Sequence, residues 1–272
     1  MALEVSSTIE VAPFKLRQGN SPLLVSMPHV GTYLPSWLLP RLTNEAKALT
    51  DTDWHLEALY NFLDALDATV VIATHSRYVI DLNRPPDNVS LYPGQNTTGL
   101  CPVDSFNLKP LYETGQEPDL IEIASRITDY WQPYHTTLTN ELARIKKQHG
   151  SALLWDAHSI HSKVPRFFAG ELAHLSIGTA DNQSCVASLT NALETTLADF
   201  PQYSSAINGR FKGGYITRHY GQPQQNVHAV QLEIAMRSYM LEAPPYELDA
   251  QLSQSLRPVL HALLEAMVRW NK

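Results

Sequence analysis

Cysteine is scarce: Cys101 and Cys185 are the only two in 272 residues, too few for a disulfide framework. No uninterrupted apolar run approaches the roughly 18 residues that cross a bilayer. The stretch from Met1 to Arg17 lacks the charged start and apolar core of a secretory signal. These absences make a reducing, cytoplasmic setting the default expectation, with no membrane partner. Positive charge is scarce too. The formal net charge is -7 and no basic run exceeds Lys146-Lys147, so phosphate backbones are repelled and nucleic acid is not an expected partner. There is no internal repeat, low-complexity tract or Gly/Ser-rich linker, and residues 1–272 read as one domain. Two hydrolase signatures are missing as well: His-Glu-x-x-His and Gly-x-Ser-x-Gly.

Histidine and proline are plentiful instead, with 11 and 18 residues. Histidines are the first residues to weigh as metal ligands or acid–base groups. Many prolines imply long ordered loops, where sites are built. Hydrophobic residues make up 44% of the chain, enough to bury a sizeable core. Short apolar runs bounded by polar residues or Pro read as buried strands at Leu23–Met27, Thr69–Ala73, Tyr78–Leu82, Ala152–Trp155, Leu175–Ile177 and Ala229–Ile234. Helical patterning predicts helices over Asp53–Leu66, Asp119–His149, Asn182–Asp199 and Asp249–Trp270. Pro133 should kink or divide the second, and Gly150 should cap it. Alternating strands and helices imply an α/β sandwich with a mixed, largely parallel sheet. Such sheets carry ligand sites at the carboxyl ends of their strands. Residues Asn83 to Pro118 read as one long irregular loop, and loops this long inside a compact domain are usually functional.

Four clusters can carry chemistry. Met27-Pro28-His29-Val30-Gly31 ends the first strong strand and sends His29 into a sheet-edge crevice, where Gly31 permits close backbone approach; the plain alternative is a histidine that opens a turn. Asp51-Thr52-Asp53-Trp54-His55 stands at a predicted helix start. Asp51 or Thr52 suits an N-cap there, and Asp53 suits a carboxylate ligand. Leu154-Trp155-Asp156-Ala157-His158-Ser159 is a strand whose Asp156 and His158 fall on one side. His158 then suits a metal, with Asp156 as its outer partner and His161 as a spare candidate. In the fourth cluster, the alternation of Val230, Leu232 and Ile234 leaves Gln231 and Glu233 on the opposite face. That face is either solvated at a sheet edge, or it holds a buried carboxylate that needs a partner or a metal. Together the clusters supply two His, one carboxylate and a separate Glu, the content of a catalytic metal site with an open water position. Glu233 would take a proton from the attacking water and return it to the leaving amine.

Substrate anions are met best by arginine, whose fork pairs with carboxylates. Arg84 follows Asp81-Leu82-Asn83, with Arg77 just ahead of that predicted strand. The glycine-containing stretch from Gly209 to His219 reads as a mobile basic loop whose Arg210, Lys212 and Arg218 suit a second carboxylate. Arg237 follows Glu233 by four residues. Each of these is otherwise a surface charge, Arg210 more readily than Arg84.

The ordered set Pro28-His29-Val30-Gly31, Asp51-Thr52-Asp53, Asp81-Leu82-Asn83-Arg84, Asp156-Ala157-His158-Ser159 and Gln231-Leu232-Glu233 resembles the N-formylglutamate amidohydrolases, from about Ser21 to about Arg237. The loop Ser90-Leu91-Tyr92-Pro93-Gly94-Gln95-Asn96-Thr97-Thr98-Gly99-Leu100-Cys101-Pro102 is similar to that of the deformylases of histidine breakdown. The resemblance implies a phosphorylase/hydrolase-like, zinc carboxypeptidase-like three-layer fold. It implies hydrolysis of N-formyl-L-glutamate to formate and L-glutamate, as the last step of a histidine degradation route. It implies a divalent metal held by His29, Asp53 and His158, with Glu233 as the base. Zinc is the first choice, and Co, Mn or Fe also suit such donors. Asn83-Arg84 is similar to the Asn-Arg pair that grips the substrate carboxylate in those relatives. One departure stands out: relatives pair the first His with an acid in His-x-x-Glu, whereas position 32 here is Thr. The acid must come from elsewhere, Asp53 ahead of Asp51, with His55 as a substitute. Two other readings are an amidase for other N-acyl amino acids or peptides on the same metal site, and a non-catalytic binding protein. The number of arginines facing the site separates the first from the deformylase.

Overall fold

The computed structural model describes residues 10–271 except 92, 93 and 95, so Tyr92, Pro93 and Gln95 of the loop resemblance lie outside the described residues. Seven strands form one sheet: β1 (Phe14–Arg17), β2 (Leu23–Met27), β3 (Thr69–Ala73), β4 (Ala152–Ile160), β5 (Leu175–Gly178), β6 (Ser205–Ile207) and β7 (Val227–Ala235). Their order is β1-β3-β2-β4-β7-β5-β6. The β1/β3 and β5/β7 pairs are antiparallel. The pairs β2/β3, β2/β4, β4/β7 and β5/β6 are parallel. Helices in chain order are α1 (Asn44–Lys47), α2 (Leu56–Leu59), α3 (Leu120–Arg126), α4 (Gln132–His149), α5 (Ala187–Ala198), α6 (Tyr215–Tyr220) and α7 (Ala250–Trp270).

Alternation along the central strands divides their side chains between two cores. Val25 of β2, Trp155 of β4 and Leu232 of β7 belong to one, packed with Leu193 of α5 and Leu260 of α7. Leu24, Leu154 and Ala229 belong to the other, with Tyr134, Leu138 and Ile145 of α4. The result is an α/β/α three-layer sandwich with a mixed sheet. Burial of each such Leu or Val contributes roughly 1.5–3 kcal/mol relative to exposure. The same alternation puts Asp156, His158, Gln231 and Glu233 on the face of Leu154 and Ala229, toward the carboxyl ends of β4 and β7.

Several elements differ from the sequence pattern. Tyr78–Leu82 is not a strand: Val79 N donates to Ser76 O and Asp81 N to Leu100 O, so these apolar residues enter the core as turns. Asp53–Leu66 is helical only over α2, because His55 takes a left-handed φ of 62° just before it. The helix predicted from Asn182 starts at Ala187, since Ala180, Asp181 and Asn182 all have positive φ. Pro133 does not divide the long helical stretch. A π turn over Ile127–Trp131 widens the coil just ahead of it, with Gln132 N donating to Ile127 O, and α4 continues to Gly150, which caps it at φ 80°. Edge strands β1 and β6 are too short and polar to read from their pattern. Part of the presumed mobile loop 209–219 is ordered as α6.

Candidate active site

Three segments deliver the first group. His29 leaves the carboxyl end of β2, Asp53 lies in the turn before α2, and His158 lies within β4. Asp53 N donates to His29 O at 3.1 Å, which docks the first two segments. Gly31 allows the β2 exit to press on the chain leaving β3, where a Cβ would stand 2.2 Å from His75 O. All three side chains are buried, and one ligand atom from each lies within 4.8 Å of the others. His29 Nε2 is 2.7 Å from Asp81 Oδ1, whose partner oxygen accepts from Arg77 Nη2 at 2.8 Å. His158 Nε2 is 3.2 Å from Asp156 Oδ1 and 2.9 Å from Asn83 Nδ2. Both rings therefore turn Nδ1 inward, 3.7 Å and 3.1 Å from Asp53 Oδ2. A carboxylate behind Nε2 fixes the ring and raises its basicity as a ligand.

These residues fit a divalent cation. Asp53 Oδ1 is buried without a hydrogen-bond partner, with Arg77 Nη1 3.6 Å away, and a metal ion would give it the direct contact it lacks. Two imidazole nitrogens and a carboxylate oxygen are the donor set of catalytic sites with one open position. Burial opposes ionisation of Asp53, but hydrogen bonds from His158 and His29 prevail and hold its carboxyl below the usual range. Burial likewise opposes charge on His158, yet the carboxylates of Asp156 and Asp53 raise it well above the ordinary histidine value.

Glu233 reaches the same place through sheet register. Parallel pairing of β4 and β7 sets His158 beside Glu233 and Asp156 beside Gln231. The strand is central, so the face carrying Glu233 is buried rather than solvated. Gly214 N donates to Gln231 Oε1 at 2.7 Å, which turns the amide so that Nε2 donates to Glu233 Oε2 at 3.3 Å. Burial pushes the Glu233 carboxyl up to about 8; His158 pulls against this and the nearby Asp53 charge adds to it. A carboxyl tuned to neutral pH is suited to general acid–base work.

An open cleft runs over these groups, and Asn83, Arg84 and Arg210 line it with them. Asn83 accepts from Ile216 N at 2.8 Å, and Gly214 makes room for its amide, since a Cβ there would stand 2.3 Å from Nδ2. Arg218 and Arg237, expected at the substrate, are not among the lining residues. Arg218 sits on α6 and donates to Gly213 O. Arg237 lies past the strand end, paired with Glu171 at 2.6 Å and donating to Leu172 O. Asp51 is turned away and accepts from Phe106 N at 2.9 Å, and burial raises its carboxyl. His55 Nε2 faces Tyr246 O at 2.6 Å. His161 faces Thr50 O. The cleft wall also includes Arg77, Asn96, Thr97, Phe106 and Phe167. Arg77 had a local signal, four residues ahead of Asp81, whereas the other four sit in irregular chain where spacing says nothing about neighbours.

The model of the family N-formylglutamate amidohydrolase matches residues 21–240. The chain is 49% identical over 263 residues to the N-formylglutamate deformylase of Pseudomonas aeruginosa, covering 97% of this chain and 98% of that protein. It is 47% identical over 254 residues to the N-formylglutamate deformylase of Pseudomonas putida, covering 93% and 95%. Among solved structures, the N-formylglutamate amidohydrolase from Ralstonia eutropha JMP134 superposes with a TM-score of 0.79 at 24% identity, covering 96% of this chain and 97% of that one. A gene product from Agrobacterium tumefaciens gives 0.73 at 17% identity, again covering 96% and 97%. At such identities these two structures speak for the fold alone.

Proposed function

The chain belongs to the N-formylglutamate amidohydrolase family, and we propose from this that it hydrolyses N-formyl-L-glutamate to formate and L-glutamate in the cleft above β2, β4 and β7. It is an amidohydrolase acting on a linear amide bond. The observation that carries the site assignment is the convergence of His29, Asp53 and His158 beside Glu233. We assign the first three as ligands of a divalent metal, zinc first, with Co, Mn or Fe compatible with the same donors. When bound, the metal supplies Lewis acidity toward the formyl oxygen and acidity to water.

Asp81 hydrogen-bonds the His29 imidazole, and Asp156, 3.2 Å from His158 Nε2, faces the other as an ion-pair partner, so that both Nδ1 atoms point inward. Glu233 takes one proton from the attacking water, whose oxygen bonds to the formyl carbon. As the C–N bond breaks, Glu233 returns that proton to the departing amino nitrogen. Gln231 holds the Glu233 carboxylate in place during both transfers. Arg84 and Arg210 anchor the two substrate carboxylates as bidentate donors. Phe106, Ile160 and Phe167 on the wall exclude water around the reacting bond. Residues 1–272 act as one domain in this proposal, supported by the single continuous sheet. A role at the end of histidine breakdown is also part of it, supported by the resemblance of loop 90–102. No helix among the described residues is long and apolar enough to cross a membrane.

Formate release from N-formyl-L-glutamate, before and after chelation and after zinc is restored, tests the reading. Activity that disappears on stripping and returns with metal supports substrate and site together. Turnover of other N-acyl amino acids, but not this one, keeps the site and replaces the substrate. No turnover by fully metallated protein overturns the catalytic assignment.

A further inference from the structure

Arg166 is not among the residues lining the cleft, yet its side chain is only 6% exposed. It lies in the chain leaving β4, and its guanidinium reaches into the long loop 83–118. Nε donates to Asn96 Oδ1 at 3.0 Å, Nη1 to Asp104 Oδ1 at 2.8 Å and Ser105 O at 2.7 Å, and Nη2 to Thr97 O at 3.5 Å. Among its described residues that loop has no helix or strand, only isolated bridges. A single planar fork with five donors can grip several acceptors at fixed angles, which an ammonium cannot copy. The Asp104 carboxylate balances the charge in this largely buried position.

Both cleft arginines hang on segments that this fork ties together. Arg84 Nε donates to Thr98 O at 2.9 Å and Nη2 to Thr98 Oγ1 at 3.3 Å, one residue beyond the carbonyl that Arg166 holds. Arg210 Nε donates to Phe167 O at 2.6 Å, in the residue directly after Arg166. We propose that Arg166 is a positioning residue that sets the spacing of Arg84 and Arg210, and through it selects the chain length of a substrate bearing two carboxylates. The proposal rests on the reading above, in which those two arginines meet the carboxylates. Guanidiniums held through backbone carbonyls of two loops keep their separation only while the loops keep theirs. A substrate one methylene shorter then leaves one anchor unfilled.

The test is steady-state kinetics of R166K with N-formyl-L-glutamate and N-formyl-L-aspartate, alongside wild type, with metal content measured for each. Lysine keeps the charge and loses the fork. The expected result is a KM for the glutamate substrate raised ~10-fold with kcat within ~3-fold, and a glutamate-over-aspartate preference narrowed ~10-fold, the size of effect one methylene commands. Asp104→Ala removes one acceptor of the clamp and gives a smaller shift in the same direction, so the proposal stays testable if R166K does not fold. An unchanged preference in folded, metal-loaded variants overturns the proposal, as does an equal loss of kcat on both substrates, the mark of a merely structural role. Failure of the underlying reading shows separately: R84A and R210A would then leave the KM for N-formyl-L-glutamate unmoved.

Discussion

Glu233 shows how little of a residue's chemistry lies in its type. A carboxyl ordinarily titrating near 4.5 is pushed to about 8 by burial among other carboxylates. Between those values the folded metal-free protein keeps the proton and the unfolded chain has lost it. Stability from this group is therefore fully present below pH 4.5 and is lost as pH rises through about 8. Glu233→Gln removes the titration. Denaturant unfolding of the metal-free proteins at pH 5 and pH 8 should show wild type losing more stability across the interval than E233Q; equal losses would contradict the burial argument. The same variant should retain metal and lose ~10²–10⁴-fold in kcat, the usual contribution of a positioned base. Asp53 was one of three candidates for the third ligand, along with Asp51 and His55. The structure separates them by direction: Asp53 faces the two histidines, Asp51 faces Phe106 N and His55 faces Tyr246 O.

Elements hold the substrate side of the cleft from behind. The π turn ahead of Pro133 ends on Trp131, whose indole N–H donates to Arg84 O at 3.0 Å, and His135 Nε2 lies 2.9 Å from Leu82 O. Burial drives the His135 ring down to about 3, so it is neutral at working pH. On the other side, Gly214 directly precedes α6 and leaves room for the Asn83 amide. Gly214→Ala would force a methyl against that amide, so kcat/KM should fall ~10–100-fold with metal still bound; kinetics with metal analysis checks this, and full activity would speak against the substrate-binding role that the family resemblance implies for Asn83. The helices α4 and α7 were legible because each repeats the helical period over 18 and 21 residues, and the strands β2, β3, β4 and β7 because each contains a short apolar run bounded by polar residues or Pro. Tyr78–Leu82 was misread because a short apolar run looks alike in a strand and in a buried turn. The loop 209–219 was misread because six helical residues carry too little periodicity to register.

At the scale of the molecule, three parallel strands end at one edge and bring together groups from positions 29, 158 and 233. A metal that binds only the folded chain stabilises it by mass action, about 2.7 kcal/mol at one hundred times the dissociation constant. For a chain of this size that raises Tm by roughly 5–10 °C. Thermal unfolding with and without zinc should show the shift, and His158→Ala should abolish it; a shift that survives the substitution would move the metal elsewhere.

The sequence alone determined the α/β class, the placement of His29 just past one strand, the common side of Asp156 and His158, and the shared face of Gln231 and Glu233. These follow from local period and from chain ends, which neighbouring residues encode. Only the tertiary structure decided that Asp53 joins the histidines, that β7 is central and so buries Glu233, that Arg84 and Arg210 line the cleft while Arg218 and Arg237 do not, and that Arg166 ties the walls together. Those outcomes depend on which distant segments pack side by side, and packing is set by the whole core at once rather than by any spacing along the chain.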